Sequence, residues 1–203
     1  MRLVAAFVAS ALLVPAPAAL ADGGDAGGVG AALVVSQFHG TLLSVMKDAA
    51  TLGFQGRFAK LEPAIDRTFD LPLMTRVVVG MRWSDWTAEQ RDQVTRAFRR
   101  FVVSTYARRF DGYSGEGFEQ IDAKTAPGGA LVQTELTRPA DTPVKLTYRL
   151  REEDDGQYKV IDVFLTGTIS ELATRRSEFG AILQHDGYQG LIKALDAKAD
   201  NDK

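Results

Sequence analysis

Val144-Lys145-Leu146-Thr147-Tyr148-Arg149-Leu150 alternates apolar and polar side chains at every step. A strand with one face buried and one solvated has this period of two, because successive side chains leave opposite faces of the pleat. Val132, Thr134 and Leu136 alternate in the same way with Gln133, Glu135 and Thr137. Residues 117–124 supply a strand before that. Asp155-Gly156 marks a hairpin turn into a last strand over 158–165. That strand is apolar on both faces near Val163-Phe164-Leu165, so a central or well-covered position is expected for it.

On both sides of these strands the period lengthens to that of a helix. Val34, Phe38, Leu42, Met46 and Ala49 recur at a spacing near four and form one apolar stripe, with Gly53 as the stop. Phe58, Leu61, Ile65 and Phe69 mark a second helix over 57–69. Asp70 caps a third, short helix with Pro72 early inside it, and Gly80 closes it. Thr87 with Gln90 forms a capping box that opens a helix over 88–109. Its inner face reads Val94, Phe98, Phe101, Val102 and Thr105, and its outer face holds Arg96, Arg99, Arg100 and Arg108. After the strands, Ser170 caps a helix over 171–184, and another runs over 188–198. The expected fold class is therefore α+β: N-terminal helices, an antiparallel sheet of about four strands, and C-terminal helices packed on one face.

Composition narrows the function classes. The chain has 203 residues, 24 Lys+Arg, 26 Asp+Glu, two histidines and no cysteine. A net charge of −2 argues against a nucleic-acid binder. Without cysteine there is no disulfide, thiolate metal site, Cys nucleophile or acyl-Cys anchor. Arg2, the apolar run from Leu3 to Leu13 and the small-x-small site Ala19-Leu20-Ala21 read as a secretory signal peptide, residues 1–21, cut after Ala21. Residues 22–30, rich in glycine, read as a flexible leader, and 31–203 as a single domain. Export without a membrane anchor places the protein in a bacterial periplasm.

Motifs for chemistry are sparse. Gly112-Tyr113-Ser114-Gly115-Glu116-Gly117 has Glu where a nucleophile elbow needs its last glycine, and it follows a helix rather than a strand. Glu152-Glu153-Asp154-Asp155 lacks the spacing of a calcium loop and reads as a solvated hairpin tip. His39 and His185 have no carboxylate placed for a metal pair, so each reads as a surface or helix-end histidine. Asp162 is a carboxylate inside an apolar strand, which suits either a cap or Arg partner or a general base. No catalytic residue, metal or cofactor is assigned. What remains is a surplus of large apolar side chains, which either fill the core or line a cavity.

Several phrases in order resemble the MlaC/Ttg2D family, the periplasmic lipid carriers of lipid-trafficking ABC systems. They are Phe69-Asp70-Leu71-Pro72-Leu73-Met74-Thr75-Arg76, then Gly80 and Trp83, then Glu89-Gln90-Arg91 leading to Phe98 and Phe101. Val144 to Leu150, Tyr158-Lys159-Val160-Ile161-Asp162-Val163 and Arg175-Arg176-Ser177-Glu178-Phe179 continue the series. Leu52-Gly53-Phe54-Gln55-Gly56-Arg57 and Phe110-Asp111-Gly112-Tyr113-Ser114-Gly115 look closest to the hopanoid-associated HpnM branch. Tyr158 departs from the family's commoner Trp.

The resemblance implies a non-enzymatic carrier of a phospholipid or hopanoid. Its partners would be an inner-membrane ABC-type or RND-type complex and an outer-membrane acceptor or donor. Leu73, Met74, Val77, Phe98, Phe101, Val102, Leu146, Tyr148 and Phe164 are the expected pocket residues. Arg76 and Arg175 are the expected headgroup contacts at the mouth. Two other readings stand beside it. One is a small cone-shaped enzyme resembling nuclear transport factor 2, with Asp162 as base. The other is a non-lipid envelope adaptor with a filled core and an exposed apolar patch.

Overall fold

The computed structural model describes residues 25–139 and 141–200. The expected signal segment and its cut after Ala21 lie outside the described residues. The alternating stretches form strands β1 (Gly117–Ala126), β2 (Gly129–Arg138), β3 (Asp141–Glu152) and β4 (Tyr158–Leu165). A fifth strand, β5 (Ile169–Ser170), is too short to show a period in sequence. Each strand pairs antiparallel with the next, so sheet order follows chain order.

The helices are α1 (Ala26–Lys47), α2 (Ala49–Thr68), α3 (Leu71–Val79), α4 (Ala88–Arg109) and α5 (Glu171–Asp200). A 3-10 turn, Gly80–Asp85, joins α3 to α4. α1 begins inside the glycine run expected as a leader. Asp25 accepts a hydrogen bond from Gly28 N at 3.1 Å and caps it. A side-chain carbon on Gly28 would come within 2.7 Å of the Ala123 carbonyl oxygen, so this glycine lets α1 lie close on β1. α1 is long and apolar enough to cross a membrane, yet here it buries Ala31, Val35, Phe38, Leu42 and Val45. The stripe is centred on Val35 rather than on Val34.

α2 starts eight residues before the expected 57, at Ala49, with a break at Gly53 (φ 57°). α5 likewise merges the two expected C-terminal helices, with a break at Gly187. Its φ of 64° is strained for any residue with a Cβ.

α4 matches the expected span, and its capping box is formed: Gln90 N donates to Thr87 Oγ1 at 3.2 Å and Thr87 N to Gln90 Oε1 at 2.9 Å. Three arginines of its outer face reach neighbouring helices, while Arg96 pairs with Asp92 of α4 itself. Arg99 bridges Glu62 and Asp66 of α2, at 2.6 Å to each. Arg100 reaches Asp196 and Asp200 of α5, and Arg108 donates to the Lys198 and Ala199 carbonyls at 2.6 and 2.9 Å. The reason is position. α4 lies between α2 and α5, so its polar residues meet their carboxylates and carbonyls.

The α2–α3 corner is tied to the sheet. Asp70 N donates to the Val160 carbonyl at 2.9 Å, and Phe69 bridges Val160. Asp70 Oδ1 accepts from Leu73 N at 3.0 Å, capping α3, while Oδ2 accepts from Arg151 Nε at 2.6 Å. One carboxylate thus performs a cap and a cross-link. Asp70→Ala is expected to lower stability by about 2 kcal/mol, measured by chemical denaturation. Asp70→Asn, which keeps the cap oxygen, should lose about half of that.

Candidate functional site

The core is not filled everywhere. α4 packs on α2, α3 and α5 but stands off the strands, and the gap is a cavity of about 330 Å³. Its walls follow from the two periods. On α4, Phe98, Phe101, Val102, Thr105, Tyr106 and Arg109 share one face at helical spacing. On β3, Val144, Leu146 and Tyr148 share one face of the pleat. Leu136 of β2 and Val163 and Leu165 of β4 flank them, and Phe69, Met74 and Leu172 close the ends.

Of the expected pocket residues, Met74, Phe98, Phe101, Val102, Leu146 and Tyr148 line the cavity, and Leu73, Val77 and Phe164 do not. Two physical reasons explain the departures. On α3 the buried stripe runs through Leu71, Met74, Thr75 and Val78, which turns Leu73 and Val77 outward. On β4, Leu150 pairs with Val160 but Arg149 with Asp162, so Ile161 is an extra residue, a bulge. The bulge shifts the parity of everything after it. Val163 and Leu165 therefore face the cavity, and Phe164 sits on the other side opposite Thr147. The expected set also omits Leu136, Val144 and Leu172. Val144 was legible by carrying the Leu146–Tyr148 alternation one step further.

Charge is confined to the mouth, where Arg109, Arg138, Glu171 and Arg175 stand. Arg175 donates to Glu171 at 3.2 Å and Glu178 at 2.7 Å, and its guanidinium lies 5.2 Å from the Phe101 ring centre. Arg109 is 4.0 Å from Glu171 and Arg138 is 3.8 Å from Asp141. The other expected mouth cation, Arg76, is exposed on the outer face of α3 and does not line the cavity.

Two of the deeper polar groups, Thr105 and Tyr148, are tied. Thr105 Oγ1 donates to the Phe101 carbonyl at 2.8 Å. Tyr106 stacks on Phe110 at 5.8 Å, and burial pushes its phenol well above the usual range. Tyr148 Oη lies 2.9 Å from His39 Nε2, and burial raises its phenol too. His39 corrects the surface reading: it is 6% exposed and stacks on Phe118 with ring centres 3.9 Å apart. Burial pushes its imidazole down to about 4. His185 is exposed on α5.

Asp162 does not reach the cavity. Its Oδ2 accepts from Ser170 Oγ at 2.6 Å, and its Oδ1 accepts from Leu172 N at 3.1 Å and Val163 N at 2.8 Å. Ser170 Oγ in turn accepts from Ala173 N at 2.9 Å. Asp162 and Ser170 together satisfy the first turn of α5. Among the described residues, no three His, Asp or Glu side chains converge as metal ligands would.

Comparison with known proteins bears on this cavity. The model of the MlaC protein family matches residues 36–197. A solved structure of a phospholipid-binding protein from Ralstonia solanacearum, in complex with a phospholipid, superimposes with a TM-score of 0.72. That match is 23% identical in sequence and covers 83% of this chain and 96% of the other. At that identity the likeness is one of fold.

Proposed function

This chain belongs to the MlaC family, and on that premise we propose that it is a soluble carrier whose cavity takes the apolar tails of a membrane phospholipid. The observation that carries this reading is a cavity with continuous apolar walls and charge only at its mouth. The phospholipid held by the Ralstonia protein of similar fold supports it.

Physical chemistry says why such a cavity is needed. A two-chain lipid has on the order of 30 methylenes, and exposing them to water costs roughly 24 kcal/mol at about 0.8 each. Free transfer between membranes is negligible at that cost. Inside the cavity Phe98, Phe101, Leu146 and Leu165 replace the bilayer interior for the tail carbons they enclose. Direction comes from partners. In this reading residues 31–203 form one lipid-binding domain, exported to the periplasm by the N-terminal segment. It exchanges lipid with an ABC-type or RND-type inner-membrane complex and an outer-membrane complex.

Native mass spectrometry of protein taken from its own periplasm tests this. One bound phospholipid per chain is the expected result. A hopanoid in its place would reassign the ligand and favour the hopanoid-associated branch. A uniformly ligand-free species that takes up nothing from vesicles would overturn the carrier reading.

The enzyme reading rested on Asp162, and that carboxylate is engaged in capping α5. Asp162→Asn is therefore expected to lower stability by about 1 kcal/mol, as a lost cap does, and to leave bound lipid unchanged. The adaptor reading expects a filled core, which the cavity opposes.

A further inference from the structure

We propose that the outer face of α3, the 3-10 turn and the middle of α5 form a docking surface for an anionic phospholipid bilayer. The proposal rests on the reading of the cavity as a lipid site. Met81, at the tip of the 3-10 turn, is 89% exposed, more than any other large apolar side chain among the described residues. Val77, 37% exposed, lies four residues earlier.

Around these two stand Arg76, Arg82 and Arg176, all exposed. Among the described residues none of the three has a carboxylate within 4.0 Å. Most other arginines of the fold are committed to carboxylates or carbonyls, as Arg99, Arg100, Arg108 and Arg175 are. The groove between the turn and α5 is lined by Met81, Arg82, Arg176 and Leu183 among others, with no acidic residue. Gly80 leaves the space that seats one of these cations. A side-chain carbon there would stand 3.1 Å from Arg176 Nη2. Near the turn the nearest acid in sequence is Asp85, at its far end, and beside Arg176 it is Glu178, which is paired with Arg175 and Lys198.

The pattern favours a bilayer over an acidic protein. A protein interface needs a broad apolar centre with a polar rim. Here one apolar tip protrudes between cations, and the half-buried Trp83 on the turn and Trp86 just beyond it follow, both packed against the core. At a membrane surface, an apolar tip enters the acyl boundary, arginine stems extend so that guanidinium groups reach phosphates, and indoles sit at headgroup level. The net charge of −2 gives no general attraction to an anionic surface, so contact depends on this local patch.

Continuity with the cavity gives the patch a use. α3 carries Met74 on the cavity wall and Val77 on the patch, and α5 carries Arg175 at the mouth beside Arg176 on the patch. A molecule docked through Met81 holds its mouth beside the headgroup layer.

Flotation with phosphatidylcholine vesicles containing about one third phosphatidylglycerol tests the proposal. Binding is expected at low salt, lost at about 0.5 M, and absent on pure phosphatidylcholine. Each arginine at such a surface is worth roughly fivefold in partitioning, so the triple variant Arg76→Gln/Arg82→Gln/Arg176→Gln should lose on the order of a hundredfold. Met81→Ser should lose several-fold at unchanged salt dependence. Thermal melting and native mass spectrometry of the same variants should show an unchanged fold and lipid content. Arg176→Glu gives a second, single-site reading should the triple variant melt early.

Absence of wild-type binding to the anionic vesicles overturns the proposal. So does a folded triple variant that binds like wild type, or binding that requires a membrane protein in the vesicles. The cavity reading fails separately. A protein that floats with vesicles but never carries lipid keeps the patch and loses the cavity.

Discussion

Leu146→Phe is expected to lower the lipid carried by the purified protein roughly fourfold while leaving its melting temperature within a few degrees. Leu146 projects from the middle strand of the sheet into the cavity, opposite the face of α4 that carries Phe98 and Val102. The larger side chain takes roughly one methylene's worth of room, and at about 0.8 kcal/mol the excluded lipid carbon costs roughly fourfold in retention. Overpacking a filled core would instead cost about 1–3 kcal/mol of stability. The prediction therefore separates a working cavity from an incidental void. Adding Val102→Phe on the facing helix should remove the remaining bound lipid. Native mass spectrometry reads the lipid, and a thermal melt reads the fold. Full lipid occupancy in the folded double variant would place the ligand elsewhere.

That cavity was partly legible in the sequence. The alternation around Tyr148 and the helical face of Phe98, Phe101 and Val102 gave the two opposing walls by number. The strand and helix spans rested on the same periods, sharpened by local chemistry such as the Thr87–Gln90 box and the Asp70 cap. What escaped was long-range. The bulge at Ile161 depends on how β4 registers against β3, and nothing local to β4 announces it. It alone moved Phe164 off the wall and brought Val163 and Leu165 onto it. The outward turn of Leu73 and Val77 depends on which neighbours α3 meets, since both sides of that short helix are apolar. The mouth charges Arg109 and Arg138 come from elements far apart in the chain. No spacing rule joins them.

His39 was the least legible residue, and it carries the second large prediction. Its place on α1 reads as an ordinary helical position, but the fold presses it against Phe118 and Tyr148. Burial holds its imidazole down at about 4, against 6.5 in the unfolded chain. Between those two pH values the unfolded chain binds a proton that the folded chain refuses. Stability is then full above pH 6.5 and falls as the pH drops towards 4, where the loss levels off. A gap of that width is worth roughly 3 kcal/mol, or about 10 °C in melting temperature for a chain of this size.

His39→Gln removes the titration and keeps a polar group beside Tyr148. It should cost about 1–2 kcal/mol at pH 7, from lost stacking, and that deficit should close or reverse near pH 4. Parallel stability profiles for the two proteins over pH 7 to 4 would show that the histidine is solvated and the packing argument wrong. Because Tyr148 is both the partner of His39 and a wall of the cavity, the same acid window should loosen lipid retention in the wild type. Retention in His39→Gln should stay flat over that window. The two readouts together decide whether the buried pair holds the wall or merely stands behind it.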